Sequence, residues 1–530
     1  MRVLALARNV RTQARAPGRA RLAAAALGVL ALALGVAAAG RAVSLPDGEL
    51  APGRNVRVNP VGRLDAHNSP SLAANPRRPD NVVLTHRRDR TEFSSFVEWS
   101  TDGGRSWRQT ALPLPAGIDR PFAPDAAFAR DGTLYVSYVN LVGNGNVPDN
   151  LWVARSTDGG RSLSAPVRVA GELAFQGRVA VGPDGTVYLT WLQAREVGLF
   201  KMPRRPNPIV AAHSTDGGRT FSDPVVVSDL GRARVAAASP VVDRDGRLVV
   251  LYEDFKGDRR DFEFLEGPPA EEPFALVLTV STDGGRTFAA GRELEAGVVA
   301  TRRFLVFLPE FPSLAAGPDG SLVVTWADGR SGDEDVLLRR SVDGGRTWTQ
   351  AVRVNDNPGG DGTDQYLPRV AVAPSGRIDV LFLDRRRDHD NVRADAFLAV
   401  SRDDGRSFEN VRVSSTSFDT RVGPFIDATF PVDFGSRLGL VSRDDGTLAA
   451  WTDSRFGDEG TGRQDIMAAR VTSESAGALD WAGVVVLGLL SVGAAVAAVQ
   501  LGRRGSRPAR RPTDDHAGAG AEAAGARAGG

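Results

Sequence analysis

Five side chains of this sequence could do chemistry together if the strands that carry them converge. A glycine turn ends each predicted inner strand, and counting back seven residues from that glycine reaches Asp125, Arg178 and Arg369 in three of the repeats described below. Three residues further back, two repeats have Glu310 and Tyr366. Arginine binds carboxylates in a planar, two-pronged geometry, carboxyl groups exchange protons, and a tyrosine hydroxyl can attack as a nucleophile. A hydrolase of acidic sugars needs these residue types, and a polar, water-filled channel mouth would hold the same ones.

Arg330 is a sixth candidate, because it belongs to an Asp-x-Arg pair that recurs after predicted strands. The pairs are Asp328 with Arg330, Asp384 with Arg386, and Asp453 with Arg455. Recurrence favours ion pairs between neighbouring repeats, whereas an arginine-rich binding rim and a calcium site built from nearby aspartates are the alternatives. The spacing of those aspartates matches no defined calcium loop. We therefore predict no metal, and we take Arg330 as the candidate third arginine of a substrate site.

An eight-residue motif, Ser-x-Asp-x-Gly-x-Ser/Thr-aromatic, fixes the register in which these residues are compared. It begins at Ser100, Ser156, Ser214, Ser281, Ser341 and Ser401, with Leu163 as the one departure at the last position. Starts that lie 56 to 67 residues apart predict a repeat architecture. The Asp and Ser/Thr side chains can hydrogen-bond backbone amides of their own turn, and glycine supplies a positive φ. We therefore predict a structural role for the motif.

Each motif lies between the third and fourth strands of a four-stranded unit, and the units are separated by Gly/Asp turns. Seven such units can be traced, the last of them without a motif. Residues 55–59 resemble the outer strands of other units, so we predict that this N-terminal strand completes the last one. The predicted fold is an all-β, seven-bladed β-propeller over residues 45–475. A six-bladed ring is the alternative if the first or last unit is irregular.

The motif resembles the Asp-box, or bacterial neuraminidase repeat, of the sialidase superfamily, and the resemblance covers residues 55–471. It implies a β-propeller. For an active sialidase it also implies three arginines that clamp a carboxylate, a tyrosine nucleophile paired with a glutamate, and an aspartate that acts as acid and base. On this sequence those roles fall on Arg178, Arg369 and Arg330, on Tyr366 with Glu310, and on Asp125. The Arg-Ile-Pro signature of the family is absent from this chain.

Composition argues against several other classes of function. A formal net charge of +1 gives no electrostatic basis for binding nucleic acid. Without cysteine the chain has no disulfide, no reactive thiolate and no cysteine-ligated metal. The sequence also shows no zinc-ligand spacing, no phosphate-binding loop and no Ser-His-Asp pattern. We expect no cofactor, and we expect a glycan or a cell-envelope protein as the partner.

The two ends of the chain predict an exported protein attached to a membrane. Residues 1–44 have an arginine-rich start and an apolar run ending in small residues, the layout of a signal peptide or signal anchor. Residues 480–502 contain an apolar run long enough to span a bilayer. The arginines that follow place the tail, residues 503–530, in the cytoplasm. We expect one span in the cell membrane, or two if the N-terminal segment is not cleaved, with the propeller outside the cytoplasm.

These features together predict a membrane-anchored, extracytoplasmic, sialidase-like propeller. As a glycoside hydrolase it would act on carboxylated glycans in the manner of an exo-sialidase. Tyr366 would then be the nucleophile with Glu310 as its base, Asp125 would be the acid, and Arg178 and Arg369 would hold the carboxylate. The alternative is a non-catalytic propeller of the cell envelope that binds a glycan or a protein at the same face.

Overall fold

The computed structural model describes residues 49–473 except 91, 144–146, 172, 196–205, 257–272, 300–310 and 425–433. The predicted signal segment, the predicted membrane span with its tail, and Glu310 lie outside these residues. None of the described residues forms a helix that is long and apolar enough to cross a membrane. The described residues form seven antiparallel sheets.

The first two strands are short and belong to the last blade: β1 (Leu50–Pro52) and β2 (Val56–Arg57). Blade 1 then consists of β3 (His67–Ala74), β4 (Val82–Arg88), β5 (Ser94–Ser100) and β6 (Arg108–Thr110). Blade 2 consists of β7 (Pro121–Phe128), β8 (Leu134–Val142), β9 (Val147–Ser156) and β10 (Val167–Ala170). Blade 3 consists of β11 (Ala174–Val181), β12 (Val187–Gln193), β13 (Ile209–Ser214) and β14 (Val225–Val226).

The remaining blades follow the same order from inner to outer strand. Blade 4 consists of β15 (Val235–Val242), β16 (Leu248–Asp254), β17 (Phe274–Ser281) and β18 (Arg292–Val298). Blade 5 consists of β19 (Ser313–Ala316), β20 (Leu322–Asp328), β21 (Asp335–Ser341) and β22 (Val352–Arg353). Blade 6 consists of β23 (Gln365–Val372), β24 (Ile378–Asp384), β25 (Arg393–Ser401) and β26 (Glu409–Arg412), with β27 (Phe418–Asp419) paired to β25. Blade 7 consists of β28 (Gly439–Arg443), β29 (Gly446–Asp453) and β30 (Asp465–Ser473), completed by β1 and β2.

The seven inner strands form a closed ring. Each of β3, β7, β11, β15, β19, β23 and β28 contacts the inner strand of the next blade, and β28 contacts β3. This arrangement confirms the predicted seven-bladed β-propeller. Closure leaves the sheets only short, protected edges, which is how a propeller avoids pairing with other chains.

The N-terminal strands close the ring, as residues 55–59 predicted. Val56 pairs with Ala468 and Arg57 with Met467 on β30. The side chain of Asn59 donates to Oδ1 of Asp465 at 3.0 Å and accepts from the backbone N–H of Ile466 at 2.7 Å. The last blade is therefore built from both ends of the propeller.

Large aromatic side chains near the ends of the second strands fill the space between blades. They are Tyr138, Trp191, Tyr252, Trp326, Phe382 and Trp451, each at most 2% exposed. Because every blade is covered on both faces, the second strands show no alternation of polar and apolar residues. Four of the five tyrosines of the sequence, Tyr135, Tyr138, Tyr188 and Tyr252, are likewise buried in this core.

The repeated motif forms a turn that satisfies its own polar groups. In the first copy, Oδ1 of Asp102 accepts from the Ser100 hydroxyl at 2.7 Å and from the backbone N–H groups of Arg105 and Ser106 at 2.9 Å. The other carboxylate oxygen accepts from a hydroxyl four residues later, at 2.6 Å in all six copies. The turns lie at the end of the strands opposite to the one at which the inner strands begin.

Candidate functional site

Five inner strands carry the same bulge shortly after they begin. In each, two residues oppose a single residue of the second strand, and the first of the two has a positive φ. These residues are Ser69, Ala123, Gln176, Ala237 and Leu367, with φ between 50° and 58°. Non-glycine residues in the left-handed region cost about 1–2 kcal/mol each, so the surrounding packing must hold them there. Bulges re-aim the side chains that follow them.

In each of these strands, the residue two positions after the one with positive φ lines a cavity at the propeller axis. These residues are Ser71, Asp125, Arg178, Ser239 and Arg369, and Ser313 takes the same place in blade 5. In blades 2 to 6 this position lies seven residues before the turn glycine, where the sequence predicted the site residues. The structure therefore brings Asp125, Arg178 and Arg369 together at one cavity of about 100 Å³.

Blade 7 contributes an arginine that the count missed. By strand pairing, the equivalent position is Gly439, which lies opposite Ala450 just as Arg369 lies opposite Leu381. A Cβ atom at Gly439 would lie 2.9 Å from the side chain of Leu72, so any larger residue here would force Leu72 to shift. Arg437, two residues earlier, lines the cavity instead.

Asp125 is held by groups from three other blades. Its Oδ1 atom accepts from the hydroxyl of Ser71 at 2.7 Å and lies 3.5 Å from Nη1 of Arg437. Its Oδ2 atom accepts from the backbone N–H of Val179 at 3.1 Å. These contacts fix the carboxylate at the wall of the cavity and direct part of its charge toward Arg437.

The three arginines differ in how many hydrogen-bond and ion-pair partners the protein gives their guanidinium groups. Arg437 donates from Nη2 to the carbonyl of Pro124 at 2.9 Å, and Arg178 donates from Nη1 to the carbonyl of Gly177 at 3.0 Å. Arg178 also lies over the ring of Phe311, with 5.0 Å between its Cζ atom and the ring centroid. Within the described part of the chain, Arg369 makes no hydrogen bond or ion pair.

Burial places a free-energy penalty on these charges. It lowers the pKa of Arg437 well below its ordinary value, and the charge of Arg178 lowers it further while Asp125 opposes the change. Burial also lowers the pKa of Arg178 and of Arg369, again against the influence of Asp125. Arginine stays protonated in proteins, so the cavity is an electropositive site that a bound anion would stabilise.

A fourth arginine lies nearby but is already paired with a carboxylate. Arg87 is 3.0 Å from Asp89 and donates from Nε to the side-chain oxygen of Asn68 at 2.7 Å. Its guanidinium also lies over the ring of Phe122. Arg87 adds to the positive potential felt by Arg178 and Arg437 without being a lining residue.

Two predicted site residues lie away from the cavity, and one falls outside the described residues. Tyr366 is 1% exposed within the hydrophobic core of blades 6 and 7, and its hydroxyl lies 3.4 Å from Nη2 of Arg385. Arg330 pairs with Asp328 at 2.5 Å and with Glu295 of blade 4 at 2.8 Å. These contacts match the inter-blade ion pairs that recurrence favoured. Glu310 immediately precedes Phe311, a lining residue, but is not itself among the described residues.

The remaining Asp-x-Arg pairs behave like the one at Arg330. Arg386 lies 2.7 Å from Asp384, and Arg455 lies 2.6 Å from Asp453. In blades 5 and 7 the same aspartate also accepts from the indole of the tryptophan two residues earlier. No group of three or more metal-ligating side chains is arranged to hold a metal in the described ranges.

Comparisons with known proteins give low similarity. No protein-family model matches this chain, and no curated protein sequence is similar to it. Among solved structures, a protein of unknown function from Dyadobacter fermentans is 14% identical with a TM-score of 0.46, over 80% of this chain and 99% of the other. A Hadza microbial sialidase is 16% identical with a TM-score of 0.43, over 74% of each chain. An ulvan lyase of polysaccharide lyase family 25 is 13% identical with a TM-score of 0.45, over 78% of this chain and 96% of the other. Similarity at these values does not identify an activity.

Proposed function

We propose that this propeller recognises the acidic group of a glycan in the axial cavity, and that carboxylated sugars are the first ligands to test. One observation carries the proposal: Arg178, Arg369 and Arg437 reach a single cavity from three blades, and Arg369 has no partner within the described chain. Arg369 is half-buried and has no counter-charge there, an arrangement that costs free energy and that an anionic ligand would relieve.

Two further features support a sugar as the carrier of the acidic group. Hydroxyl groups of Ser239, Ser313 and Ser436 line the cavity beside the arginines, and they can exchange hydrogen bonds with sugar hydroxyls. The six copies of the motif also resemble the Asp-box of the sialidase superfamily. The proposal includes the location given by residues 480–502, a cell membrane with the propeller outside the cytoplasm.

Hydrolysis of a glycosidic bond is a second candidate, because Asp125 places one carboxylate beside the arginines. Most glycosidases use two carboxylates across the scissile bond, and sialidases replace one with a tyrosine. Among the lining residues that the structure describes, Asp125 is the one carboxylate, and no tyrosine is present. Binding without turnover is therefore the function that this geometry supports better.

The test compares binding and turnover on one preparation of the full-length chain. Isothermal titration would measure the affinity for sialic acid and glucuronic acid, and for the neutral sugar glucose. Fluorogenic glycosides, including sialosides, would report turnover. We expect saturable binding of the acidic sugars, at least tenfold weaker binding of glucose, and no turnover. Equal affinity for the acidic and neutral sugars would refute recognition, and turnover that Asp125→Asn abolishes would establish the hydrolase instead.

Arg369→Gln is the decisive variant, because the structure gives Arg369 no other task in the described chain. It should weaken binding of acidic sugars roughly ten- to hundredfold, the usual effect of losing one charged hydrogen bond. Arg470→Gln is the matched control. Arg470 pairs with Asp445 near the motif turns, at the opposite end of the strands, so its loss should leave the affinity unchanged.

A further inference from the structure

We infer that Ser69 of blade 1 is a positioning residue of the axial site: it holds the main chain beside Arg437 and thereby aims the guanidinium into the cavity. The inference rests on the proposed function, because it concerns the same cavity, but it gives a role to a residue that does not line it. Three features carry it: the irregular chain around Arg437, the hydrogen bonds of the Ser69 hydroxyl, and the two serines of β3 that hold the Arg437–Asp125 ion pair.

Arg437 is carried by a short irregular segment and not by a strand. The other two arginines of the cavity, Arg178 and Arg369, lie within β11 and β23, where pairing with the second strands fixes their main chain. Residues 434–438 have no regular secondary structure, and β28 begins only at Gly439. The direction of the Arg437 side chain therefore depends on the contacts that neighbouring blades make with this segment.

An aromatic contact anchors the start of the segment. The ring of Phe434 stacks on the ring of Phe418, with 5.6 Å between the centroids and an angle of 6° between the planes. Both side chains are at most 2% exposed and belong to the hydrophobic core of blades 6 and 7. This anchor lies three residues before Arg437, so it does not set the direction of the arginine.

The second anchor is the hydroxyl of Ser69, the residue with positive φ in the bulge of β3. It accepts from the backbone N–H of Ser436 at 3.0 Å, and Ser436 is the residue directly before Arg437. The same hydroxyl donates to Oδ1 of Asn68 at 3.1 Å, so its proton is already used within the protein. Because Ser69 is 1% exposed, water does not compete for either hydrogen bond.

Asn68 fixes the direction in which the Ser69 hydroxyl points. Its Oδ1 atom also accepts from Nε of Arg87 at 2.7 Å, and its Nδ2 atom donates to Oδ2 of Asp89 at 2.8 Å. An arginine is only a donor and an ionised aspartate only an acceptor, so one orientation of the amide satisfies both partners. The Ser69 hydroxyl must therefore donate to Asn68, which leaves a lone pair of its oxygen for the N–H of Ser436.

The segment and the bulge also pack against each other without a gap. A Cβ atom at Gly435 would lie 2.8 Å from the backbone nitrogen of Ser69 and 3.0 Å from its hydroxyl oxygen. Gly435 also has a φ of 90°, a conformation that glycine adopts without strain. The contact with Ser69 thus fixes the distance between the bulge and the segment as well as the direction of the hydrogen bond.

Strand β3 holds both partners of the ion pair at the wall of the cavity. Ser69 binds the segment that carries Arg437, and Ser71, two residues later, donates to Oδ1 of Asp125 at 2.7 Å. A bulge re-aims the side chains around it, and this one directs two serines of a single strand to blade 7 and to blade 2. Ser69 therefore acts on the cavity through Arg437, as Ser71 acts on it through Asp125.

Ser69→Gly is the decisive variant. It removes the hydroxyl, and glycine adopts the positive φ of this position without the strain that alanine would carry. Isothermal titration of the full-length chain with sialic acid and glucuronic acid would measure the effect. We expect affinity to fall roughly three- to tenfold, the range that corresponds to one neutral hydrogen bond.

Ser414→Gly is the matched control. Ser414 is also buried, and its hydroxyl likewise accepts from a backbone N–H, that of Ala396 at 3.1 Å, and donates to a side-chain oxygen, Oδ1 of Asp395 at 2.7 Å. It follows the outer strand of blade 6 and does not line the cavity. The control loses equivalent hydrogen bonds, so it should bind both sugars like the natural protein, and circular dichroism would verify that both variants are folded.

A double-mutant cycle tests whether Ser69 acts through Arg437. In a protein that already carries Arg437→Gln, Ser69→Gly has no guanidinium left to position, so it should change the affinity by less than about twofold. Titration up to ligand concentrations that saturate the Arg437→Gln protein keeps this weaker binding measurable. A residue that only stabilises the ring would lower the affinity by the same factor in both backgrounds.

Each result decides one part of the inference. If the natural protein binds neither acidic sugar, the proposed function fails and the role of Ser69 fails with it. If the natural protein binds them and Ser69→Gly binds them equally well, the positioning role is wrong while recognition of acidic glycans stands. An equal loss in both backgrounds, or the same loss in Ser414→Gly, would show that Ser69 does not act through Arg437 and would overturn the inference.

Discussion

Nη1 of Arg437 lies 3.5 Å from Oδ1 of Asp125, an ion pair that joins blade 7 to blade 2 across the intervening blade 1. Blade 1 takes part through Ser71, whose hydroxyl donates to the same carboxylate oxygen. Arg437 also donates to the carbonyl of Pro124, the residue before Asp125. Blade 7, at which the ring closes, is thus bound directly to Asp125, a residue that lines the cavity.

Arg437→Gln tests whether this arginine binds the ligand in addition to stabilising the closed ring of blades. We expect a roughly ten- to hundredfold loss of affinity for an acidic sugar, since one charged donor is removed from the cavity. The thermal midpoint should fall as well, because Asp125 loses its ion-pair partner. Titration calorimetry and thermal unfolding of the same sample would measure both effects. A lower thermal midpoint with unchanged affinity would show that Arg437 only holds the ring together.

Tyr366→Phe tests the nucleophile that the resemblance implies. The structure places the Tyr366 hydroxyl 3.4 Å from Arg385 and buries the ring in the core of blades 6 and 7, where it does not line the cavity. We therefore expect unchanged affinity for acidic sugars and only a small loss of stability. If a glycoside is turned over by the natural protein, the variant should retain that turnover. Its complete loss would restore Tyr366 as the nucleophile.

The sequence predicted the scaffold well because every blade of a propeller uses the same strand order, the same turns and the same packing. Six copies of one turn motif set the register in which the seven units could be compared. The missing outer strand of blade 7 could be found at residues 55–59 because its apolar pattern matches that of the other outer strands. The same register selected Asp125, Arg178 and Arg369, which share the cavity.

The site was predicted less completely, because function departs from the repeat. In blade 7 the count reached Gly439, which has no side chain, and Arg437 replaces it from two residues upstream. Arg437 lies before β28 begins, so counting along the strand register could not reach it. Tyr366 was selected by counting along a regular strand, yet the bulge at Leu367 separates it from Arg369. Positive φ at a leucine is not visible in the sequence.

Asp102→Ala should destabilise blade 1 without affecting the cavity. The variant loses an acceptor for two hydroxyls and two backbone N–H groups, and we expect a loss of roughly 1–2 kcal/mol. Asp102→Asn is the matched control, because it keeps one acceptor oxygen and should lose less. Denaturant unfolding would measure stability, and titration with an acidic sugar should give the affinity of the unaltered protein for both variants. A loss of affinity in a folded variant would contradict the structural role of the motif.

The same turn makes a prediction for acidic solution. Burial raises the pKa of Asp102, but hydrogen bonds from Ser106 and Ser100 outweigh it and lower the pKa from 3.8 to about 2. A carboxyl group whose pKa is lower in the folded state stabilises the fold above its unfolded pKa. The contribution of Asp102 should therefore be complete above pH 4 and disappear as the pH falls toward 2. The stability difference between the natural protein and Asp102→Ala, measured from pH 5 to pH 2, should shrink accordingly.

A buried pair of histidines in blade 1 makes stability depend on pH in a higher range. The Nδ1 atoms of His67 and His86 are 3.3 Å apart, and both rings contact Phe96. At this distance one ring must donate to the other, so at least one Nδ1 atom is unprotonated. On the outer sides of the rings, Nε2 of His86 lies 3.5 Å from Glu98, and Nε2 of His67 lies 3.8 Å from Asp65.

Protonation of His67 is strongly disfavoured in the folded protein. Burial lowers its pKa from 6.5 to about 2, and the charges of His86, Arg88 and Arg463 act in the same direction. The unfolded chain therefore binds a proton that the folded chain excludes between these two values, so stability rises with pH in this window. The contribution is complete above pH 6.5 and is lost as the pH falls, by about 1.4 kcal/mol per pH unit for one proton.

Stability measured between pH 8 and pH 5 tests this prediction with His67→Gln and a matched control. The free energy of unfolding of the natural protein should fall steeply below pH 6.5. His67→Gln should be less stable at pH 8, but its free energy of unfolding should depend less steeply on pH, by up to the contribution of one proton (about 1.4 kcal/mol per pH unit). His389→Gln is the control, because His389 is exposed in a loop of blade 6, and its slope should match that of the natural protein. Denaturant unfolding at each pH gives these slopes directly. If His67→Gln keeps the full slope, the proton that the fold excludes does not belong to His67, and the pH dependence must arise elsewhere in the propeller.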